Sequence, residues 1–314
     1  MTPGKAYLTS DEIRPLAERS NLMGALMVLH CWGTIALAVV LFAIWPNVVT
    51  FLLAVTVIGS RQLGLAILMH EAAHNALFRD RKLNDFVGEW ICGRPILAEL
   101  AAYRHYHLSH HRFTQTDKDP DLVLSAKFPT TRKSLQRKFL RDLTGQTGYK
   151  QLMSQILMSF RLAGDDDARD AATQDAAQAF KARDLWKSLP VFFGIILLMG
   201  LVGEWWYGLA FWFLPYMTWF QLVLRIRNIA EHGATERSDD PLQNVRTTRA
   251  GLLERVFVAP YWVNYHLEHH LVMHVPCWQL PKMHQLLLQK GLEPRMKLAS
   301  GYARALDEAG WNTA

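Results

Sequence analysis

Nine of the thirteen histidines in this 314-residue chain fall into short patterns. His70-Glu71-Ala72-Ala73-His74 sets two imidazoles four residues apart. His107-Leu108-Ser109-His110-His111 and His266-Leu267-Glu268-His269-His270 each set three at i, i+3 and i+4. Residues three and four apart share a helix face, so each pattern presents its rings together, and the adjacent pair is splayed enough to address two neighbouring metal centres. A fourth element, Asn228-Ile229-Ala230-Glu231-His232, repeats the i, i+4 spacing.

Imidazole suits iron, zinc, copper and nickel, so ligand type does not name the metal. Ligand number is more informative. A zinc site uses three or four protein ligands, whereas these nitrogens suffice for two six-coordinate ions with positions left open. The rings must be neutral to ligate, which an ordinary pKa of about 6.5 allows at cytoplasmic pH. Asp119 and Asp121 follow the second pattern closely, and Glu231 and Glu268 each adjoin a candidate ligand. All four could hydrogen-bond the far nitrogen of a ligating ring and orient it. The alternative for Asp119-Pro120-Asp121 is a plain turn. Of the other histidines, His30 reads as a hydrogen-bonded bundle residue, and His105, His274 and His284 as supporting or surface groups.

His70-Glu71-x-x-His74 also fits a zinc protease with a glutamate general base. That reading leaves both H-x-x-H-H patterns without a role. A metal-transport protein would carry polar residues across several spans, and here the first and fourth apolar segments contain no charge.

The elements that must position these rings are apolar and long. Leu22 to Trp45 has no charged residue, and Val48 to Met69 is apolar except for Arg61 and Gln62, ending at His70. Further spans run from Ser188 to Gly203 and from Trp205 to Leu224. A stretch of roughly 20 apolar residues crosses a hydrocarbon core of about 30 Å, so the expected architecture is all-α, with four transmembrane helices in two hairpins and a helical cap holding the site. Ala101 to Lys187 contains fifteen Lys and Arg while the inter-span turns contain none, which places both termini and all the histidine patterns on the cytoplasmic side. Leu83 to Leu100, broken by charges and by Gly93 and Pro95, reads as an interfacial helix. Gly164-Asp165-Asp166-Asp167 and the Ala/Gln/Asp-rich run after it read as a solvated loop and a polar helix.

Composition agrees with a bilayer protein that has a sizeable aqueous part: half the residues are hydrophobic and a fifth charged. The net charge of +6 comes without a dense basic block interleaved with aromatics, so nucleic acid is not an expected partner. Cys31, Cys92 and Cys277 are scattered and read as buried thiols. The N-terminus lacks the apolar core and cleavage site of a secretory signal. The chain divides into a cytoplasmic segment at 1–21, one catalytic domain over 22–290 and a C-terminal tail at 291–314.

At these residues the chain resembles the integral-membrane fatty acid desaturase family. The resemblance rests on HEAAH at His70, YRHYHLSHHRFTQTDKDPD from Tyr103, RNIAEH ending at His232, and NYHLEHHLVMHVPCWQLPKMH from Asn264. The last of these, with NVRTTRAG before it, is most similar to a bacterial branch that includes a rhizobitoxine-type desaturase. The three residues inside the first pattern set it apart from acyl-CoA desaturases that have four. The resemblance implies two iron ions held by His70, His74, His107, His110, His111, His232, His266, His269 and His270, with Asn228 reaching a metal through water. It further implies O2 as co-substrate, desaturation of a lipid or acyl chain drawn from the bilayer, and electrons from a separate ferredoxin- or cytochrome-type donor. For a bacterial chain the membrane is the inner one. Hydroxylation is the alternative outcome, because loss of a second hydrogen and return of hydroxyl compete from one intermediate and about 1.4 kcal/mol shifts their ratio tenfold. Arg61 lies nine residues before His70, roughly 13 Å along a helix. Ionisable groups at such depth face a bundle interior or cavity, which suggests a polar contact to substrate or a buried carboxylate partner.

Overall fold

The computed structural model describes residues 3–159 and 185–311, with side chains given over slightly narrower limits. The expected acidic loop at Gly164–Asp167 lies outside the described residues. The architecture is mostly helical, and three helical runs are long and apolar enough to cross a membrane: Asn21–Ile44, Val48–Ala73 and Leu209–His232.

Helix α1 (Asn21–Ile44) starts where the Ser20 hydroxyl accepts the Met23 amide. It stops at the Trp45-Pro46-Asn47 turn. Asn47 caps helix α2 (Val48–Ala73) by accepting the amides of Val49 and Thr50, so these two helices form a tight antiparallel pair. Gln62 and Arg61 are buried in α2 beside its apolar residues, and the helix carries His70 to its last turn.

The expected interfacial helix over Leu83–Leu100 is a broken run, Arg81–Phe86, Val87–Gly93 and Arg94–Ile96. Glu89 pairs with Arg94 and also accepts the Leu100 amide at 2.6 Å, while Asp85 pairs with Arg104. Leu83, Phe86 and Trp90 are left exposed, as a membrane-facing surface requires. Helix α3 (Leu100–Phe113) follows and carries the second histidine pattern. Helices α4 (Arg132–Leu143) and α5 (Gln146–Ser159) complete the polar half.

The third expected span is α6 (Leu185–Val202), whose apolar stretch Trp186–Val202 is shorter than the three runs above. The fourth is displaced towards the C-terminus. It was expected from Trp205 to Leu224 and occupies Leu209–His232, ending in α7 (Trp219–His232). The helix continues through Arg225 and Arg227 because neither cation faces lipid. Arg225 makes two hydrogen bonds to the buried Asp142, and Arg227 pairs with Glu231 at 2.6 Å.

Two short strands interrupt the all-α expectation. β1 (Thr247–Thr248) pairs in parallel with β2 (Leu298–Ala299). The third histidine pattern forms α8 (His266–Leu271), and α9 (Leu280–Gln289) packs on it. Residues 291–311 pack onto the helices before them. Tyr302, Ala305 and Ala309 are buried, helix α10 (Tyr302–Leu306) lies against α7, and the Ala309 carbonyl accepts the Thr130 amide at 2.8 Å.

Candidate metal centre

The nine histidines converge. His70, His74, His107, His111 and His269 form one group, and His110, His232, His266 and His270 form a second; within each group one nitrogen per ring lies within 4.8 Å of all the others. Helices α3 and α8 each contribute to both groups. Their adjacent pairs divide, with His111 and His269 in the first and His110 and His270 in the second. The groups abut, since the His111 and His270 ring centroids are 4.2 Å apart.

Several of the ring nitrogens point at one another. Nε2 of His111 is 2.9 Å from that of His107 and 3.0 Å from that of His269, and Nε2 of His266 is 2.8 Å from that of His232. Both nitrogens of His70 and of His74, and Nε2 of His110 and His270, are buried without a hydrogen-bond partner. Buried polar atoms left unpaired cost roughly 1–3 kcal/mol each, and so many together call for a bound cation. An all-nitrogen donor set of this size fits two first-row transition-metal ions.

Electrostatics favours ligation. Burial pushes His107, His111, His266, His269 and His270 well below the ordinary imidazole pKa, and His74 down to about 3, so all are neutral at pH 7. His110 is the exception. Burial alone would lower it, but the Asp121 charge together with the Asp119 charge and hydrogen bond outweighs burial and raises it.

Of the expected orienting carboxylates, Asp119 sits 2.7 Å from Nδ1 of His110, and Asp121 lies 3.6 Å from the same nitrogen while accepting the Tyr106 hydroxyl. Glu231 is 3.6 Å from Nδ1 of His266. Glu268 behaves differently. Its oxygens are taken by His284 at 2.6 Å and by the Thr247 hydroxyl at 2.5 Å, so it braces α8 against α9 and β1. Asn228 is half-buried one turn before His232, with its side-chain oxygen accepting from Arg227 at 3.4 Å. Arg61 is apart from the rings. It lines a recess between α1, α2 and the segment before α8.

Sequence reasoning missed Thr114 and Gln115. The Thr114 hydroxyl donates to the His110 carbonyl at 2.8 Å, so its oxygen is left to accept from Nδ1 of His270 at 3.3 Å. That makes Nε2 the lone-pair nitrogen facing the second group. Gln115 donates to the His232 carbonyl at 3.2 Å and has a left-handed backbone, φ 62°. Neither residue type carries a signal in a single sequence. Glu71, the general base of the protease reading, accepts the Cys277 amide at 2.8 Å and lies 3.5 Å from Nδ1 of His70, so it works as a brace.

Comparison with known proteins agrees with this centre. A profile described as fatty acid desaturase matches residues 43–300. The chain is 27% identical over 290 residues to a dihydrorhizobitoxine desaturase of Bradyrhizobium elkanii, covering 89% of this chain and 78% of that protein. It is 23% identical over 290 residues to an sn-1 oleoyl-lipid 12-desaturase of a Picosynechococcus species, covering 88% and 78%. A profile match over most of the chain, joined to histidines that meet in space, identifies the chain as a member of the fatty acid desaturase family and an oxidoreductase of the desaturase type.

Proposed function

We propose that this protein is a multi-pass membrane desaturase that uses two iron ions and O2 to introduce a double bond into the aliphatic chain of a lipid or lipid-like substrate. The observation that carries this reading is the pair of abutting, buried imidazole groups. His70, His74, His107, His111 and His269 would hold one ion, and His110, His232, His266 and His270 the other. Iron with O2 supplies the oxidising power to remove hydrogen from an unactivated methylene, which no side chain possesses.

The chain's own residues provide position and exclusion. Asp119 fixes the ring of His110 and Thr114 that of His270, so each would keep its far nitrogen available to hold an ion. The surrounding apolar core, including Leu267, Leu271 and Ala73, keeps water from the site. α1, α2, α6 and the run ending in α7 would form four spans in two hairpins with the histidines on the cytoplasmic side, a layout supported by the basic central segment. Electrons would come from a separate donor protein. The names of the relatives, an oleoyl-lipid desaturase and a dihydrorhizobitoxine desaturase, favour a double-bond outcome over hydroxylation.

Metal analysis and product analysis test this together. Purified protein should carry about two irons per chain, and cells with the protein should contain an acyl or acyl-like species lighter by two hydrogens. A single zinc, or activity that survives replacement of His266, His269 and His270, would overturn the reading. A product heavier by one oxygen would leave the metal centre standing and assign hydroxylation.

A further inference from the structure

A recess lies beside α2 at Arg61, three residues before Gly64 and nine before His70. Arg61 is 5% exposed, deep in an apolar helix. Its Nη2 donates to the Val256 carbonyl at 2.5 Å, and its guanidinium carbon stands 5.9 Å from the Tyr261 ring centroid. Among the described residues no carboxylate pairs with it. A guanidinium cannot shed its proton, so a buried one without a counter-charge is the unfinished half of an ion pair.

The surroundings are built around it. Ser60 donates to the Phe257 carbonyl at 2.8 Å and so holds the Leu252–Phe257 helix against α2 beside Arg61. Tyr261 and Trp262 follow with left-handed backbones, φ 54° and 56°, where bulky residues rarely go. That strained corner turns the Tyr261 ring into the recess. Its hydroxyl donates to the Met27 carbonyl and meets Nδ1 of His30, both at 3.1 Å, tying the corner to α1. The result is a recess of about 480 Å³ that Arg61, Arg255, His30, Thr34, Tyr261 and Leu26 help to line, with no Asp or Glu in its wall. Such a volume is typical of a small-molecule site.

Leu26 lines the recess, and it and Leu29 on α1, with Leu252 and Leu253 on the Leu252–Phe257 helix, are all at least half exposed, so these two helices would turn apolar side chains to lipid beside the recess. Arg61 is thirteen residues from the start of α2, about 20 Å of rise in a core of about 30 Å, which leaves it nearer the histidine end of the span.

We propose that this recess binds the anionic head, a carboxylate or a phosphate, of an amphiphile whose aliphatic part lies along the exposed leucines. Arg61 supplies the buried cation, Arg255 a second positive charge at the rim, and Tyr261 the aromatic wall. The site does not rest on the desaturation chemistry, and its occupant is defined by charge and amphiphilicity.

Equilibrium binding to the metal-loaded full chain in detergent tests it, with four probes: oleate, its uncharged methyl ester, phosphatidylglycerol and inorganic phosphate. Oleate or phosphatidylglycerol should bind at least tenfold more tightly than methyl oleate, and which of the two binds assigns carboxylate or lipid phosphate. Arg61→Gln should weaken that probe at least tenfold and Arg61→Lys less. Arg255→Gln, a change on the exposed rim, should weaken it about threefold. Retained iron reports folding. If Arg61→Gln does not fold, the Arg255→Gln result decides, and unchanged affinity there overturns the proposal. Equal binding of methyl oleate, inorganic phosphate competing as well as the amphiphiles, or no binding of either amphiphile also overturns it.

Discussion

Oδ1 of Asp119 stands 2.7 Å from Nδ1 of His110, while Nε2 on the far side of that ring faces the four-imidazole group with no protein partner. The carboxylate therefore fixes which nitrogen donates a proton and which presents a lone pair. Asp119 also accepts the Gln115 and Asp121 amides at 2.8 and 2.9 Å, so it anchors the turn beneath the ring. Asp119→Asn should keep the fold and weaken metal affinity by about 10- to 100-fold. Iron remaining after dialysis against graded chelator measures this, and wild-type retention would refute the orienting role.

The pH dependence of the metal-free protein follows from the buried rings. His74 titrates near 3 in the folded chain, against about 6.5 unfolded, so the unfolded chain binds more protons between those values. The stability tied to this ring is complete above about pH 6.5 and drains away as pH falls towards 3, amounting to several kcal/mol over the full range. His107, His111, His266, His269 and His270 are lowered as well and act with the same sign. His110 is raised and acts with the opposite sign. Thermal melts of metal-free protein should drop steeply between pH 7 and 5, and metal loading should move that drop to lower pH. A flat profile would contradict the neutral, buried state of these rings.

Glu71 separates two roles by chemistry. As a brace it needs only an acceptor for the Cys277 amide, which a glutamine oxygen supplies. Glu71→Gln should retain iron and a folded state. Glu71→Ala strands a buried amide and should cost about 1–3 kcal/mol. The comparison is read from melting temperature and iron content, and equal loss in both variants would assign a charge-dependent role.

Gly208 immediately precedes the Leu209–His232 run, and a Cβ there would collide with the Ile196 carbonyl of α6. Backbone cannot step aside as a side-chain tip can. Gly208→Ala should destabilise the α6 pair by roughly 1–3 kcal/mol, visible as a lower melting temperature in detergent. Gly33, with nothing near its Cβ position, is the control and should tolerate alanine.

Beyond residue 290 the chain holds the third histidine pattern from behind. The Lys297 carbonyl accepts the Thr247 amide at 3.1 Å, and Thr247 in turn contacts Glu268 of α8. Glu308 accepts from Arg246 at 3.1 Å. Deleting residues from 297 onward should therefore reduce bound iron by at least half even though no histidine is lost; full retention would show that this brace is dispensable.

The histidine patterns were legible because local helical spacing already groups the rings, and the division of His110 from His111 and of His269 from His270 follows from one step around a helix. Asp119 was legible because it follows its ring by only nine residues. What escaped depends on distant partners. Thr247 and His284 reach Glu268 across 21 and 16 residues, and Arg225 is neutralised by Asp142 from 83 residues away, which let the last span run past its expected end. The packing of residues 291–311 likewise had no periodic signal, since it rests on two-residue strands and a five-residue helix.

The five-to-four partition of the imidazoles would give the two pockets unequal grip. Ions offered one equivalent at a time would then fill one pocket before the other, so half-loaded preparations would be largely uniform and idle. Turnover plotted against added iron should lag through the first equivalent and climb only during the second.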